Sequence, residues 1–140
     1  MKALWGPDPV TFDGETVHIA NAQFNPKPVQ APHPPIFVGG ESRAALRRVA
    51  TFGDGWYGYG VTPDAVAAYL TRLDSHLDDA GRDRSEIKIY VSPNRLRVDP
   101  DIAAAYAEAG VDQLVLGLFA PDLAALDSRL DKLRAASGMD

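Results

Sequence analysis

Hydrophobic patterning changes character at Pro35. Upstream, seven of the eleven prolines crowd between Pro7 and Pro35. Proline lacks a backbone N–H and holds its predecessor in extended geometry, so this stretch is not helical. Inside it, residues 10–19 read as a small hairpin, with β-branched residues flanking a turn at Asp13-Gly14. Residues 20–35 read as an extended loop.

Downstream, short apolar runs alternate with segments of helical period. Ile36-Phe37-Val38 is the first run, closed by Gly39-Gly40. Residues 42–52 follow, with Leu46, Val49 and Ala50 at helical spacing and Gly53 as the stop. Gly55-Trp56-Tyr57-Gly58-Tyr59 is an aromatic strand. Thr62-Pro63-Asp64 then starts a helix with a capping hydroxyl, a proline at the first position and an acid in the first turn. Val66, Tyr69, Leu70, Leu73 and Leu77 give that helix one apolar face, and Gly81 ends it.

The cycle recurs twice. Ile87–Val91 is a strand, and Asp99-Pro100 opens a helix with Ile102, Tyr106 and Ala109 inward and Gly110 as its stop. Gln113–Leu118 is the last strand. Pro121-Asp122 opens a helix striped by Leu123, Leu126, Leu130 and Leu133. Four strand–helix units of this length predict an α/β fold with parallel strands joined by right-handed crossovers. The two best strands look apolar on both faces, as strands covered on both sides should be. Two architectures satisfy the pattern. One is an open four-stranded sheet with helices on both faces. The other is half of a (β/α)₈ barrel, which typically needs about 250 residues.

Composition narrows the chemistry. The 140 residues suffice for one domain with a core. A net charge of −5 argues against a nucleic-acid partner. The chain has no cysteine, so disulfides, thiol catalysis and thiolate metal sites are excluded. No apolar run is long enough to span a membrane, and the opening Met-Lys-Ala-Leu-Trp-Gly holds no signal core, which points to the cytoplasm. Zinc-protease, α/β-hydrolase and Walker motifs are all missing. His18, His33 and His76 lack metal-ligand spacing, so no metal is expected.

The sharpest candidate site is Gly39-Gly40-Glu41-Ser42, a glycine turn between a strand and a helix start. Glycines let a ligand approach the backbone, and the first N–H groups of a helix attract anions. A phosphate on the amides of Glu41 and Ser42, assisted by the Ser42 hydroxyl, is one reading; a bare tight turn is the other. The glycines of residues 53–60 are wrongly placed for a dinucleotide loop. Their alternation with aromatics reads as crowded packing beside a wall or a ligand. Arg43, Arg47 and Arg48 follow the glycine turn and read chiefly as a solvated helix face, with Arg43 best placed to reach a ligand. Lys27 sits among prolines where it could guard a cleft.

Several of these pieces, in order, resemble the luciferase-like monooxygenase superfamily of flavin- and deazaflavin-dependent oxidoreductases. The carriers are Leu4-Trp5, Phe12-Asp13-Gly14, Pro26-Lys27-Pro28-Val29-Gln30, Pro34-Pro35-Ile36-Phe37-Val38-Gly39-Gly40 and Gly53-Asp54-Gly55-Trp56. The likeness is strong to about residue 60 and looser after it. It implies the C-terminal half of a TIM (β/α)₈ barrel, with the strands near 36, 55, 87 and 113 as the fifth to eighth. Met1–Trp5 would be the tail of the fourth helix. Residues 1–140 would be a single domain, with 6–35 a hairpin and proline-rich insertion and 36–140 four β-α units. The implied cofactor is FMN or coenzyme F420, the phrasing favouring the deazaflavin, with its phosphate on Gly39, Gly40, Glu41 and Ser42. The implied reaction is hydride transfer to or from a small organic substrate. No catalytic residue carries over, because nothing in the sequence matches strands one to four. Two sheet edges would be unpaired, which predicts a homo-oligomer or a partner that supplies the other half-barrel. Alternatives are a non-catalytic remnant, a phosphate-ligand binding module, or a different enzyme on an open sheet.

Overall fold

A computed structural model describes residues 1–94 and 96–137 of the chain. It divides into two compact units, Met1–Pro35 and Ile36–Asp140.

The first unit holds a short helix α1 (Lys2–Trp5) and an antiparallel pair, β1 (Val10–Asp13) and β2 (His18–Ala22). Asp13 opposes His18, so the connection is the four-residue loop 14–17 rather than a two-residue Asp-Gly turn. Gly14 N–H closes it on Val17 O at 3.0 Å, and His18 Nδ1 meets the Asp13 carboxylate. Strand β2 also runs three residues into the stretch read as loop, with a bulge beside Asn21, whose φ is +52°. The proline-rich segment is tied by side chains. Lys27 Nζ donates to Asp8 Oδ1 at 2.6 Å and to Leu4 O at 3.0 Å. Asp8 also accepts from Phe24 N–H and the Asn25 amide. These bonds, that from Lys27 foremost, hold the Asp8 carboxyl below its ordinary pKa.

The second unit is a parallel sheet in the order β3-β4-β5-β6, comprising β3 (Phe37–Gly39), β4 (Gly55–Tyr59), β5 (Lys88–Ser92) and β6 (Gln113–Leu114). Between and after them come α2 (Arg43–Phe52), α3 (Pro63–Ala80), α4 (Pro100–Glu108) and α5 (Leu123–Ser137). Each helix starts on its expected cap. Ser42, Thr62, Asp99 and Asp122 accept from the backbone N–H three residues on.

The core lies on one face of the sheet. Val38, Trp56, Ile89, Val91 and Leu114 face Leu46 and Val49 of α2, Val66, Leu70, Leu73 and Leu77 of α3, and Tyr106 of α4. The opposite face carries Phe37, Tyr57, Tyr59, Lys88, Tyr90 and Ser92. The expectation that the best strands are apolar on both faces therefore fails for β5, whose second face is Lys88, Tyr90 and Ser92. Helices covering both faces are likewise not found for α2–α4. Consecutive strand order explains this: repeated crossovers of one hand bring each helix back to the same side, whereas doubly wound sheets reverse their order.

Packing explains the small–aromatic alternation of β4. The Phe37 ring lies across Gly55 and reaches the Tyr90 ring, with centroids 4.3 Å apart, while the Trp56 ring lies over Gly58. At the N-terminal strand ends, two aspartates clamp the preceding strand. Asp54 accepts from Ile36 N–H at 2.7 Å and returns its own N–H to Ile36 O. Asp112 does the same with Ile89.

Two sequence expectations are corrected here, the stop of α2 and the length of β6. Gly53 ends α2 in an extended conformation, not a left-handed cap. The helix-end carbonyls are instead served by Arg82, whose Nη1 donates to Val49 O, Ala50 O and Gly53 O at 3.3, 3.3 and 2.9 Å. Val49 O also accepts from Gly53 N–H, but Arg82→Ala would take the Arg82 donor from Ala50 O and Gly53 O, and unfolding in urea should show a loss of about 1–3 kcal/mol. Strand β6 is two residues long, not six. It pairs with β5 alone, and after one further bond from Val115 N–H to Val91 O the chain leaves the ladder. Finally, the leucine stripe of α5 is poorly covered, with Leu123 77% exposed. Helix α5 packs against α4.

Candidate functional site

At the C-terminal end of β3 the chain turns through Gly40, with φ at +103°, a conformation that excludes side chains at little cost only for glycine. Gly40 O accepts from the buried Trp56 Nε1 at 2.8 Å. A trans peptide points its C=O and N–H in opposite directions. Anchoring Gly40 O to Trp56 thus turns the Glu41 N–H away from the core. Ser42 caps α2 through its hydroxyl, which accepts from Ala45 N–H at 3.1 Å. Among the described residues no acceptor is found for the amides of Glu41, Ser42 and Arg43. The positive end of α2 therefore opens at this turn. The Glu41 carboxylate is held aside, accepting from Tyr59 N–H at 3.0 Å.

That last bond joins the turn to the end of the next strand. Tyr59 lies 60% exposed on the sheet face opposite α2–α4, and its hydroxyl donates to Asn94 Oδ1 at 3.0 Å. Asn94 has φ +56°, just past β5. Tyr57, Tyr59, Ser92, Asn94, Gly117 and Phe119 border a cavity of about 500 Å³. The C-terminal ends of β3, β4 and β5 thus carry, side by side, a turn with unpaired amides and an aromatic, hydroxyl-bearing cavity. That edge is where α/β proteins with parallel strands place their ligands.

The structure brings Gly39, Gly40, Glu41 and Ser42 together as one turn. It does not bring Arg43 to it: that side chain lines a groove between α2 and α3 with Leu46, Arg72 and His76, while Arg47 and Arg48 lie exposed. Lys27 is engaged within the first unit by Asp8 and Leu4. His33 Nδ1 meets Pro34 O at 2.9 Å, with its ring 5.6 Å from that of Trp5. Sequence reasoning missed Trp56 as the donor that orients the turn, and it missed the Tyr59–Asn94 pair. A Pro-Asn step directly after a strand was the available signal for Asn94. Among the described residues no three His, Asp or Glu side chains converge as a metal site requires, and no helix is long and apolar enough to cross a membrane. Tyr106, buried in the core, donates to Val61 O at 2.6 Å, and burial raises its pKa.

Consecutive parallel strands with α2–α4 on one side define an α/β protein with a single parallel sheet. The profile of the luciferase-like monooxygenase family matches residues 1–138, and the chain belongs to that family. It is 34% identical over 70 residues to an FMNH2-dependent dimethylsulfone monooxygenase of Pseudomonas putida, an overlap of 50% of this chain and 19% of that protein. It is 33% identical over 133 residues to an uncharacterised protein of Mycobacterium tuberculosis, covering 91% of this chain and 43% of the other. Two solved structures share the fold. An F420-dependent secondary alcohol dehydrogenase, in complex with an F420–acetone adduct, superposes with a TM-score of 0.72 at 15% identity over 97% of this chain and 58% of its own. The coenzyme F420-dependent tetrahydromethanopterin reductase of Methanopyrus kandleri gives 0.71 at 13% identity over 86% and 56%. The chain thus spans less than half of these curated relatives and under three-fifths of these structures.

Proposed function

We propose that this polypeptide forms the C-terminal half of a luciferase-like (β/α)₈ barrel. In it, Gly39, Gly40, Glu41 and Ser42 hold the phosphate of FMN or coenzyme F420. The single observation that carries this is the Trp56–Gly40 bond, which aims the Glu41 amide outward at the mouth of α2, beside the strand-end cavity. The residues fit the group: among the described residues the amides of Glu41, Ser42 and Arg43 have no acceptor, the Glu41 carboxylate is turned to Tyr59, and Gly40 leaves the approach free of a Cβ. A bound flavin or deazaflavin supplies hydride chemistry. This chain's part is to hold the phosphate and to border the substrate with Tyr57, Tyr59 and Asn94. The reaction proposed is hydride transfer to or from a small organic substrate in the cytoplasm. Titrating FMN and F420 into the protein should give a saturable change in cofactor fluorescence with one of them. No saturable change with either favours a non-catalytic half-barrel.

Completion of the barrel is part of the same reading. Strands β3 and β6 each pair on one side only among the described residues, and the sheet's second face is lined by Phe37, Tyr57 and Tyr90. Open edges beside a face bearing aromatic rings invite pairing. A second copy, or a partner with the other four β-α units, would cover both. Light scattering at micromolar concentration should report a dimer or larger species; a stable monomer sinks the self-pairing version.

A further inference from the structure

The strand-end cavity continues into a second one. A cavity of about 410 Å³ lies between the loop after β5, the segment after β6 and α5, and Asn94, Leu116 and Gly117 line both. The two chambers differ in chemistry. The first presents tyrosine hydroxyls, Ser92 and Asn94. The second has an apolar wall of Val98, Leu118 and Leu133, and three cations at its margin: Arg97, Arg129 and Lys132. Among the described residues no carboxylate lines it, in a chain whose net charge is −5. Arg129 donates to Phe119 O and so has a structural task in the segment after β6. Arg97 and Lys132 have no ion-pair partner among the described residues. On α5, Asp131 pairs with Arg134 at 4.0 Å.

An apolar wall with unpaired cations at its rim selects a ligand of matching pattern. Apolar surface gains from covering the leucines, and an anionic head group gains a charge-assisted hydrogen bond of about twice the strength of a neutral one. We propose that the substrate is an amphipathic organic anion. Its hydrocarbon body lies on Val98, Leu118 and Leu133, its carboxylate or phosphate head meets Arg97 and Lys132, and its far end reaches past Asn94 to Tyr57 and Tyr59. This rests on the reading of the strand-end cavity as the reaction site.

The test compares octanoate, octyl phosphate and octan-1-ol by titration calorimetry on the full chain, with inorganic phosphate as a head-group-only probe. At least one of the two amphipathic anions should bind about tenfold tighter than the alcohol, a difference of one charge-assisted bond. Whichever binds tighter identifies the head group. Arg97→Ala/Lys132→Ala should bring that anion to the level of the alcohol, with octanol affinity and circular dichroism unchanged. Equal affinity for all three, failure of all three to bind, or a preference that survives the double variant would overturn the proposal. So would inorganic phosphate binding as tightly as octyl phosphate, because the apolar wall would then contribute nothing. FMN and F420 titrations on the same samples report the Gly39–Ser42 turn separately. An anion preference without cofactor binding sinks the flavin reading and leaves the groove. Cofactor binding without the preference does the reverse.

Discussion

Gly55→Val is expected to unfold the parallel sheet at temperatures where the natural chain is folded. A Cβ at residue 55 would stand 2.3 Å from Phe37 Cε1 and 2.7 Å from Lys88 O. The ring cannot swing aside freely, because it rests on Tyr90 at 4.3 Å. Nor can the carbonyl move without disturbing the pairing of β4 with β5. Overpacking typically costs about 1–3 kcal/mol and occasionally more, and a clash with backbone sits at the top of that range. Domains of this size have only about 5–15 kcal/mol in total. Gly39→Ala on the neighbouring strand is the control, since its nearest contact, Tyr57 O, lies at 4.0 Å. Thermal melting should show a large loss for Gly55→Val and a small one for Gly39→Ala. Equal losses would mean that the close approach of Phe37 is not what residue 55 requires.

Gly40→Val should abolish cofactor binding, and Gly40→Ala should weaken it by about a hundredfold, the worth of roughly two lost hydrogen bonds to a charged group. The reason is conformational. At φ +103° an L-residue is strained, and relief rotates the 40–41 peptide that Trp56 now pins. Once that peptide turns, the Glu41 N–H no longer faces outward. Space alone does not forbid alanine, whose Cβ would lie 3.5 Å from that of Ala45, so the protein should still fold. The measurement is therefore paired: FMN or F420 affinity by fluorescence, and melting temperature. Unchanged affinity in a folded Gly40→Ala variant would move the phosphate site away from this turn.

Much of this was legible in residues read one after another. Ser42, Thr62 and Asp99 announce helix starts because a capping side chain reaches only three residues along. Leu73 and Leu77 mark a buried face because helical period is local. The glycine pair after Val38 marks a turn for the same reason. Other features depend on partners far along the chain. Trp56 orients the turn from 16 residues away, and Arg82 caps α2 from 29 to 33 residues away. The Tyr59–Asn94 pair spans 35.

What the sequence by itself determined is the alternation of parallel strands and helices, the caps, and the place of the glycine turn, since each follows from periods and contacts of four residues or fewer. The tertiary structure alone decided which face of each strand is covered and that β6 stops after two residues. It also decided which amide at the turn faces outward and how two cavities join at Asn94. The physical reason is that side-chain period fixes two faces of a strand but not which one meets a helix. Strand order and crossover packing make that choice.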